Sequence, residues 1–281
     1  MEEIQNYTPE MPQNGGAGFD NINQGTVAIE SSRAVAEAQG KLVIAQKFPR
    51  NEIQAFAEMR KACRRIGLAE KAFYSYPRGG ETISGPTIRL AEELARCWRN
   101  IEYGIKELSQ DNGKSEMQAF AWDLEANTMS VQNFTNPHAR EVKGKVRALT
   151  SLRDIYENNA NMAGRRLRSR ILAVLPADFV EEAIAECKKT LAGHNNAPLG
   201  DRIRKMADVF GQMGVSQDML EKRLGRKLDT MSGDDLTEYV GIFNSLKEKI
   251  TKISDWFEYE KLSDISVEID EMTKGATDNA N

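Results

Sequence analysis

Ile101-Glu-Tyr-Gly-Ile-Lys-Glu-Leu108, Ser115-Glu-Met-Gln-Ala-Phe-Ala-Trp-Asp-Leu124 and Thr128-Met-Ser-Val-Gln-Asn-Phe-Thr135 are three runs in which the side-chain pattern repeats every second residue. A period of two marks a half-buried strand, because successive side chains point to opposite faces. Ile101, Tyr103 and Ile105 alternate with polar partners. In the second run Phe120, Trp122 and Leu124 share one face, while Met117, Ala119 and Ala121 share the other. Asp111-Asn-Gly113 supplies a hairpin turn and Glu125-Ala-Asn127 another. Residues 101–135 therefore read as an antiparallel meander of three strands.

On both sides of the meander the period returns to 3.6. Upstream, an alanine-rich helix is expected from Ser31 to about Gln46, ending before Pro49. A second should run from about Arg50 to Ile66, with Phe56, Met59, Cys63 and Ile66 on one face and Gly67 as its left-handed stop. Its outer face carries a small basic patch of Arg60, Lys61, Arg64 and Arg65. Residues 68–84 are expected to form a loop around Gly79-Gly80. Ser84 is then expected to cap, and Pro86 to open, a helix lined by Ile88, Ala91, Leu94, Ala95 and Trp98. Downstream, a basic loop 136–150 leads into a helix over 153–175. Its expected stripe is Tyr156, Ala160, Ala163, Leu167, Ile171 and Val174, and Pro176 ends it before another helix to about Leu191.

The fold class expected is α+β: a three-stranded antiparallel meander packed by helices, followed by a small three-helix C-terminal module. The domain reading is a flexible N-terminal tail over 1–30, an α+β core over 31–192, a linker over 193–199, a helical module over 200–254 and an acidic tail over 255–281. Gly193-His-Asn-Asn-Ala-Pro-Leu-Gly200 carries the linker reading. Ile203, Met206, Phe210 and Met213 stripe the first module helix, Ser216 caps the second and Ser232-Gly-Asp-Asp235 resembles a capping box before the third. The tail holds eight acids against two lysines, which reads as a solubilising segment or as an intramolecular mimic of DNA.

Composition narrows the function classes. The 281 residues carry a net charge of −4, and no run approaches the ~20 apolar residues that span a bilayer. Met1-Glu-Glu-Ile-Gln-Asn-Tyr7 has neither the basic nor the apolar region of a signal peptide. Cys63, Cys97 and Cys187 are far apart and lie in helical patterns, so they read as buried thiols of a reducing, cytoplasmic compartment. The only histidines, His138 and His194, fall in loop-like sequence, and His138 reads as solvated. Pro77-Arg-Gly-Gly-Glu-Thr-Ile-Ser-Gly-Pro86 lacks the G-K-[ST] ending with which a P-loop holds phosphates. The expectation is a protein that is not an enzyme, with no catalytic residues, no metal, no cofactor and no membrane partner.

The charge distribution carries the positive argument. Between Pro137 and Leu175 the chain holds nine Lys/Arg against Glu141, Asp154 and Glu157, about +6 in a chain of net −4. Arg140, Lys143, Lys145, Arg147, Arg165, Arg166, Arg168 and Arg170, with Arg78 in the Gly79-Gly80 loop, are the residues expected to neutralise phosphates. Tyr103, Phe120 or Trp122 could stack bases. Against this, an ordinary solvated helix also carries arginines, Arg78 also fits a plain surface turn, and Trp98 and Trp122 read first as core.

The order helix, glycine-containing loop, helix, three-strand meander, long basic helix carries a resemblance, on residues 84–108, the turn at 111–113 and Asn161-Met-Ala-Gly-Arg-Arg-Leu-Arg-Ser-Arg170. It resembles the core of phage single-strand annealing recombination proteins, the RecT/Redβ/Erf and Rad52-like superfamily. Met219-Leu-Glu-Lys-Arg-Leu-Gly225 through Ile242-Phe-Asn-Ser-Leu246 is similar to small helical tails on phage recombination proteins. The resemblance implies an ATP-independent protein that coats single-stranded DNA, assembles into homo-oligomeric rings or filaments and pairs complementary strands in phage-type homologous recombination. It also implies a partner exonuclease, or the host's single-strand-binding protein, contacting the C-terminal module. Two alternatives stay open: a non-enzymatic double-stranded-DNA-binding replication accessory or regulator, and an interaction or scaffold protein that does not bind DNA.

Overall fold

A computed structural model describes residues 24–111, 113–142, 145–193 and 198–258. The chain divides at Phe48/Pro49 into two compact units. In the first, helix α1 (Gln24–Lys47) starts seven residues before the expected Ser31, so 24–30 are helical and not part of a tail; Arg33 pairs with Glu37 one turn on. The rest of the expected N-terminal tail, 1–23, lies outside the described residues, as do 259–281 of the expected acidic tail.

The second unit is α+β. Its meander is β3 (Ile101–Asp111), β4 (Lys114–Asp123) and β5 (Thr128–Pro137), with Ile101↔Asp123, Tyr103↔Ala121, Ala121↔Ser130 and Met117↔Phe134 among the register pairs. The Asp111-to-Lys114 connection is the two-residue turn expected, with Gly113 at φ 79°. Asp123 Oδ1 accepts from the backbone N–H groups of Glu125 (3.0 Å) and Ala126 (3.1 Å), which closes the next turn.

Helix α5 (Leu152–Val174) lies across the sheet face that carries Met117, Ala119 and Ala121. The two alanines let the helix backbone come close, and Leu167 and Ile171 fill the space beside them. The stripe on α5 is Ile155, Asn159, Ala163, Leu167, Ile171 and Val174, while Tyr156 and Ala160 are exposed. Hydropathy misplaces the first two turns because the inward residue there is the polar Asn159.

Helices α2 (Glu52–Cys63), α4 (Ile88–Trp98) and α6 (Ala177–Gly193) complete the core around Phe56, Trp98 and Phe179, whose rings meet at 4.9–6.5 Å. The expected helix to Ile66 ends at Cys63; Gly67 lies inside a separate turn, α3 (Ile66–Ala69), and is not a left-handed stop. Cys63, Cys97 and Cys187 are free and buried; the Cys187 thiol and then burial push the Cys63 thiol up, and burial pushes Cys97 up to about 11.

The expected loop 68–84 is instead a hairpin, β1 (Phe73–Arg78) and β2 (Glu81–Pro86). Gly79 and Gly80 both have positive φ (61° and 86°), as a two-residue mirror-image turn requires. Thr87 then caps α4 in place of Ser84, its Oγ1 accepting from Leu90 N–H at 3.4 Å.

Three arginines of the expected basic patch are met by acids from distant segments: Arg60 pairs with Glu182, Arg64 with Glu186, and Arg65 with Glu93. Arg96 pairs with the same Glu93, and Arg99 with Glu58. Hydrogen bonds from Arg96 and Arg65 hold Glu93 below the usual carboxylate range, and Arg64 does so for Glu186. Their folded pKa values lie below the unfolded ones, so this stabilisation is present above the unfolded value and is lost as pH falls through the folded one. The thermal midpoint should stay flat from pH 7 to about 5 and fall below about pH 4.5, with a smaller fall in Glu93→Gln. Calorimetry over that range checks it.

Helices α7 (Leu199–Gln212), α8 (Gln217–Leu224) and α9 (Gly233–Lys247) surround a second apolar centre of Phe210, Leu220, Tyr239, Ile242 and Phe257. Ser216 caps α8, Gly225 (φ 73°) ends it, and Ser232 with Asp235 forms the capping box of α9. The other face of α9 is bound into β1. Ser75 N–H donates to Ser245 Oγ (2.9 Å), Ser245 Oγ donates back to the Ser75 carbonyl, and Asn244 Nδ2 donates to the carbonyls of Phe73 (2.8 Å) and Glu70 (2.9 Å). A Cβ on Gly241 would overlap Ser75 Oγ and touch the Phe73 ring at 3.3 Å, so glycine permits this approach. Of the expected linker, 194–197 lie outside the described residues. No helix among the described residues is long and apolar enough to cross a membrane.

Candidate nucleic-acid interface

The expected basic loop 136–150 is a second hairpin, β6 (Ala139–Val142) and β7 (Lys145–Ala148), rooted at the Gly113 end of the meander. His138 anchors it. Its N–H donates to the Gly113 carbonyl (2.7 Å), and its own carbonyl accepts from Leu149 N–H (2.8 Å). Its ring is buried rather than solvated, with Nε2 2.8 Å from Ser115 Oγ. Asn159 of α5 joins the same network, its Nδ2 donating to Ser115 Oγ (2.9 Å) and Glu107 Oε1 (3.2 Å) and its Oδ1 accepting from Asn136 Nδ2 (2.6 Å). Strands β3, β4 and β5, helix α5 and the hairpin root thus meet in one buried polar cluster.

Asn159→Ala should cost about 2–3 kcal/mol, because it strands the Asn136 amide and leaves Ser115 and Glu107 without their donor. Urea unfolding measures this, and a smaller loss in Asn159→Asp would separate the acceptor from the donor role.

The pleat sorts the charges of the hairpin. Register pairs Arg140↔Arg147 and Val142↔Lys145 place Arg140, Lys145 and Arg147 on one face, with Glu141 and Val146 on the other. Arg140, Lys145 and Arg147 are exposed, and no ion pair or hydrogen bond joins them to an acid among the described residues. Two like charges directly opposite repel unless an anion lies between them. Lys143, at the tip, lies outside the described residues.

The arginines of α5 do not line up with this face. Arg165 Nη2 donates to the carbonyls of Glu248 (2.8 Å) and Lys249 (3.2 Å) at the end of α9. Arg166 lies 4.1 Å from the Phe134 ring centroid and donates to the Met162 carbonyl (3.0 Å). Arg168 lies 4.6 Å from the Tyr74 ring centroid. Arg170 has a buried Nε with no acceptor among the described residues. Arg78 is exposed at the end of β1, on the other hairpin. The structure therefore brings Arg140, Lys145 and Arg147 together and distributes the other five expected residues around α5 and β1.

Of the aromatic candidates, Tyr103 faces the core. Trp122 does not: it stands on the sheet face opposite α5, half-buried, with Nε1 donating to Asn127 Oδ1 at 3.2 Å. The cross-strand neighbours there are Met129, 56% exposed, and Val131, 41% exposed. Phe120 shares this face but is covered by Lys106, whose Nζ lies 5.0 Å from the ring centroid, while Gly104 is pressed against the ring edge. Trp122 lies eight residues along β4 from the hairpin end of the sheet, about 26 Å at ~3.3 Å per residue.

Sequence reasoning missed the stacked pair Tyr74 and Tyr76, because their hairpin read as a loop. The alternation Phe73-Tyr-Ser-Tyr before Gly79-Gly80 was the available signal. A cleft of about 510 Å³ lies at the other end of the meander, lined by Arg50, Trp98, Asp123, Glu125 and Leu175 among others. Three of its charges are engaged with one another: Arg50 pairs with Asp123 and with Glu125, and Asn100 Nδ2 donates to Glu125 (2.8 Å). No protein-family model, no curated protein and no solved structure matches this chain.

Proposed function

We propose that this protein binds single-stranded DNA without ATP and anneals complementary strands as a homo-oligomer, with no catalytic step of its own. The observation that carries the reading is the single-sided cationic face of the β6–β7 hairpin, where Arg140 and Arg147 oppose each other with no acid between them. Elsewhere in the same unit, Arg60, Arg64, Arg65 and Arg96 each meet a carboxylate. A surface that keeps like charges opposed gains most from a polyanion. The half-buried Trp122, with the exposed Met129 and Val131 beside it, offers bases an apolar face at the far end of the meander. The resemblance to phage annealing proteins points the same way.

Fluorescence anisotropy of a labelled single-stranded oligonucleotide, titrated at several salt concentrations with duplex as competitor, tests the reading. Salt-steep, single-strand-preferring binding without ATP, followed by accelerated pairing of complementary strands, supports it. A preference for duplex would instead favour a replication accessory or regulator. No binding at ~100 mM salt would overturn DNA binding altogether and leave an interaction protein. Light scattering with and without oligonucleotide tests the ring or filament.

A further inference from the structure

The β1–β2 hairpin has two unlike faces. Phe73 and Ser75 are buried against α9. Tyr74, Tyr76 and Arg78 occupy the opposite face by the alternation of the strand, across from Gly85, Ile83 and Glu81. The rings of Tyr74 and Tyr76 are near-parallel, 19° apart with centroids 6.1 Å from each other. Gly85 makes this possible: a Cβ there would come within 2.8 Å of the Tyr74 hydroxyl, so a side chain at 85 would push the ring off the strand. The Arg168 guanidinium lies over Tyr74 at 4.6 Å from its centroid. The result is a ladder, Arg168, Tyr74, Tyr76, with Arg78 following along the strand. Tyr76 is half-exposed, and Arg78 makes no ion pair with its register neighbour Glu81 among the described residues.

Tyr74 and Tyr76 are only partly buried, so part of their ring surface is open to a ligand. Near-parallel rings beside fixed positive charge match the chemistry of a single strand, whose bases present π-faces and whose backbone presents phosphates. Arg168 is nine residues along α5 from Asn159 at the hairpin root, about 14 Å at 1.5 Å per residue. The guanidinium over Tyr74 and the amide that holds the hairpin root thus both come from α5.

We infer that the Tyr74–Tyr76 ladder is a base-stacking site for single-stranded nucleic acid, in which a base stacks at Tyr76 and Arg78 meets the adjoining phosphate. The inference rests on the single-strand-binding reading and adds to it the place where bases, rather than phosphates, are held.

The test uses the full chain with a fluorescein-labelled thymidine oligonucleotide and an abasic oligonucleotide of the same length. Tyr76→Ala should weaken binding of the thymidine strand roughly 5- to 100-fold, leave the abasic strand nearly unaffected and leave the salt slope unchanged. Tyr76→Phe, which keeps the ring, should restore wild-type affinity, and unchanged circular dichroism of both variants shows that they fold. Equal binding of wild type and Tyr76→Ala to the thymidine strand would overturn the ladder while leaving the broader reading intact. Equal losses on both strands would assign Tyr76 a structural role and overturn it too. If the wild type binds neither strand, the single-strand-binding reading itself fails and takes the ladder with it. Capture of a proline-rich peptide by Tyr76, with DNA binding unaffected by its loss, would likewise overturn the proposal.

Discussion

Arg50→Ala is expected to lower the unfolding free energy by about 3–5 kcal/mol, the usual cost of leaving one member of a buried ion pair without its partner. The Arg50 side chain is 8% exposed and that of Asp123 is 4% exposed, so little water competes for the intact pair. The loss compounds, because Arg50 Nε also reaches Glu125 Oε2 at 3.1 Å and its guanidinium carbon lies 4.9 Å from the Trp98 ring centroid. Asp123 at the same time holds the β4–β5 turn, so a disturbed carboxylate should be felt in the meander itself. Against a typical total of about 5–15 kcal/mol, this is a large share of the stability. Denaturant unfolding measures it. Arg50→Lys, which keeps the charge but loses the planar fork, should recover only part of the stability. A cost under about 1 kcal/mol for Arg50→Ala would show that water does reach the pair.

The triple substitution Arg140→Ala, Lys145→Ala, Arg147→Ala is expected to act on binding and not on stability. Removing three phosphate contacts at about 0.7 released counterion each should flatten the salt dependence of single-strand affinity by about 2. Affinity at low salt should fall roughly 100-fold, at about 1 kcal/mol or more per charge-assisted contact. The thermal midpoint should stay level or rise slightly, since the opposed pair Arg140↔Arg147 is relieved. Substituting Arg165 and Arg166 should do the reverse, lowering stability because Arg165 holds the end of α9 and Arg166 covers Phe134. An unchanged salt slope in the hairpin triple variant would remove the hairpin from the interface.

Comparing the residues with their places in the fold shows which signals are local. The meander was legible because alternation and the Asp111-Asn-Gly113 turn are properties of adjacent residues. The caps at Ser216 and Ser232 and the stop at Gly225 were legible for the same reason. The β1–β2 hairpin was not, because Pro77 and the two glycines read as loop chemistry, while α9, whose Ser245 bonds Ser75 on β1, lies some 170 residues away. The α5 stripe slipped by a position at Asn159, where a buried polar residue breaks the apolar count. His138 reads as a loop residue until Ser115 and Asn159 close around it.

The candidate interface divides along the same line. Its charge excess between Pro137 and Leu175 is a fact of composition, visible in the chain alone. Which of those cations remain available for phosphate is not, since availability depends on what folds against each one.

The sequence by itself determined the α+β class, the meander and its turns, the helix stops at Pro176 and Gly225 and the existence of a cationic segment. These follow from backbone periodicity and short-range hydrogen bonding, which neighbours decide. Only the tertiary structure decided that Arg60 and Arg64 are met by Glu182 and Glu186, 122 residues away, that Arg165 holds a helix end, and that Arg140, Lys145 and Arg147 share one open face. The physical reason is that charge and burial are settled by whatever lies within a few ångströms in space, and in a packed chain most of those neighbours are remote in sequence.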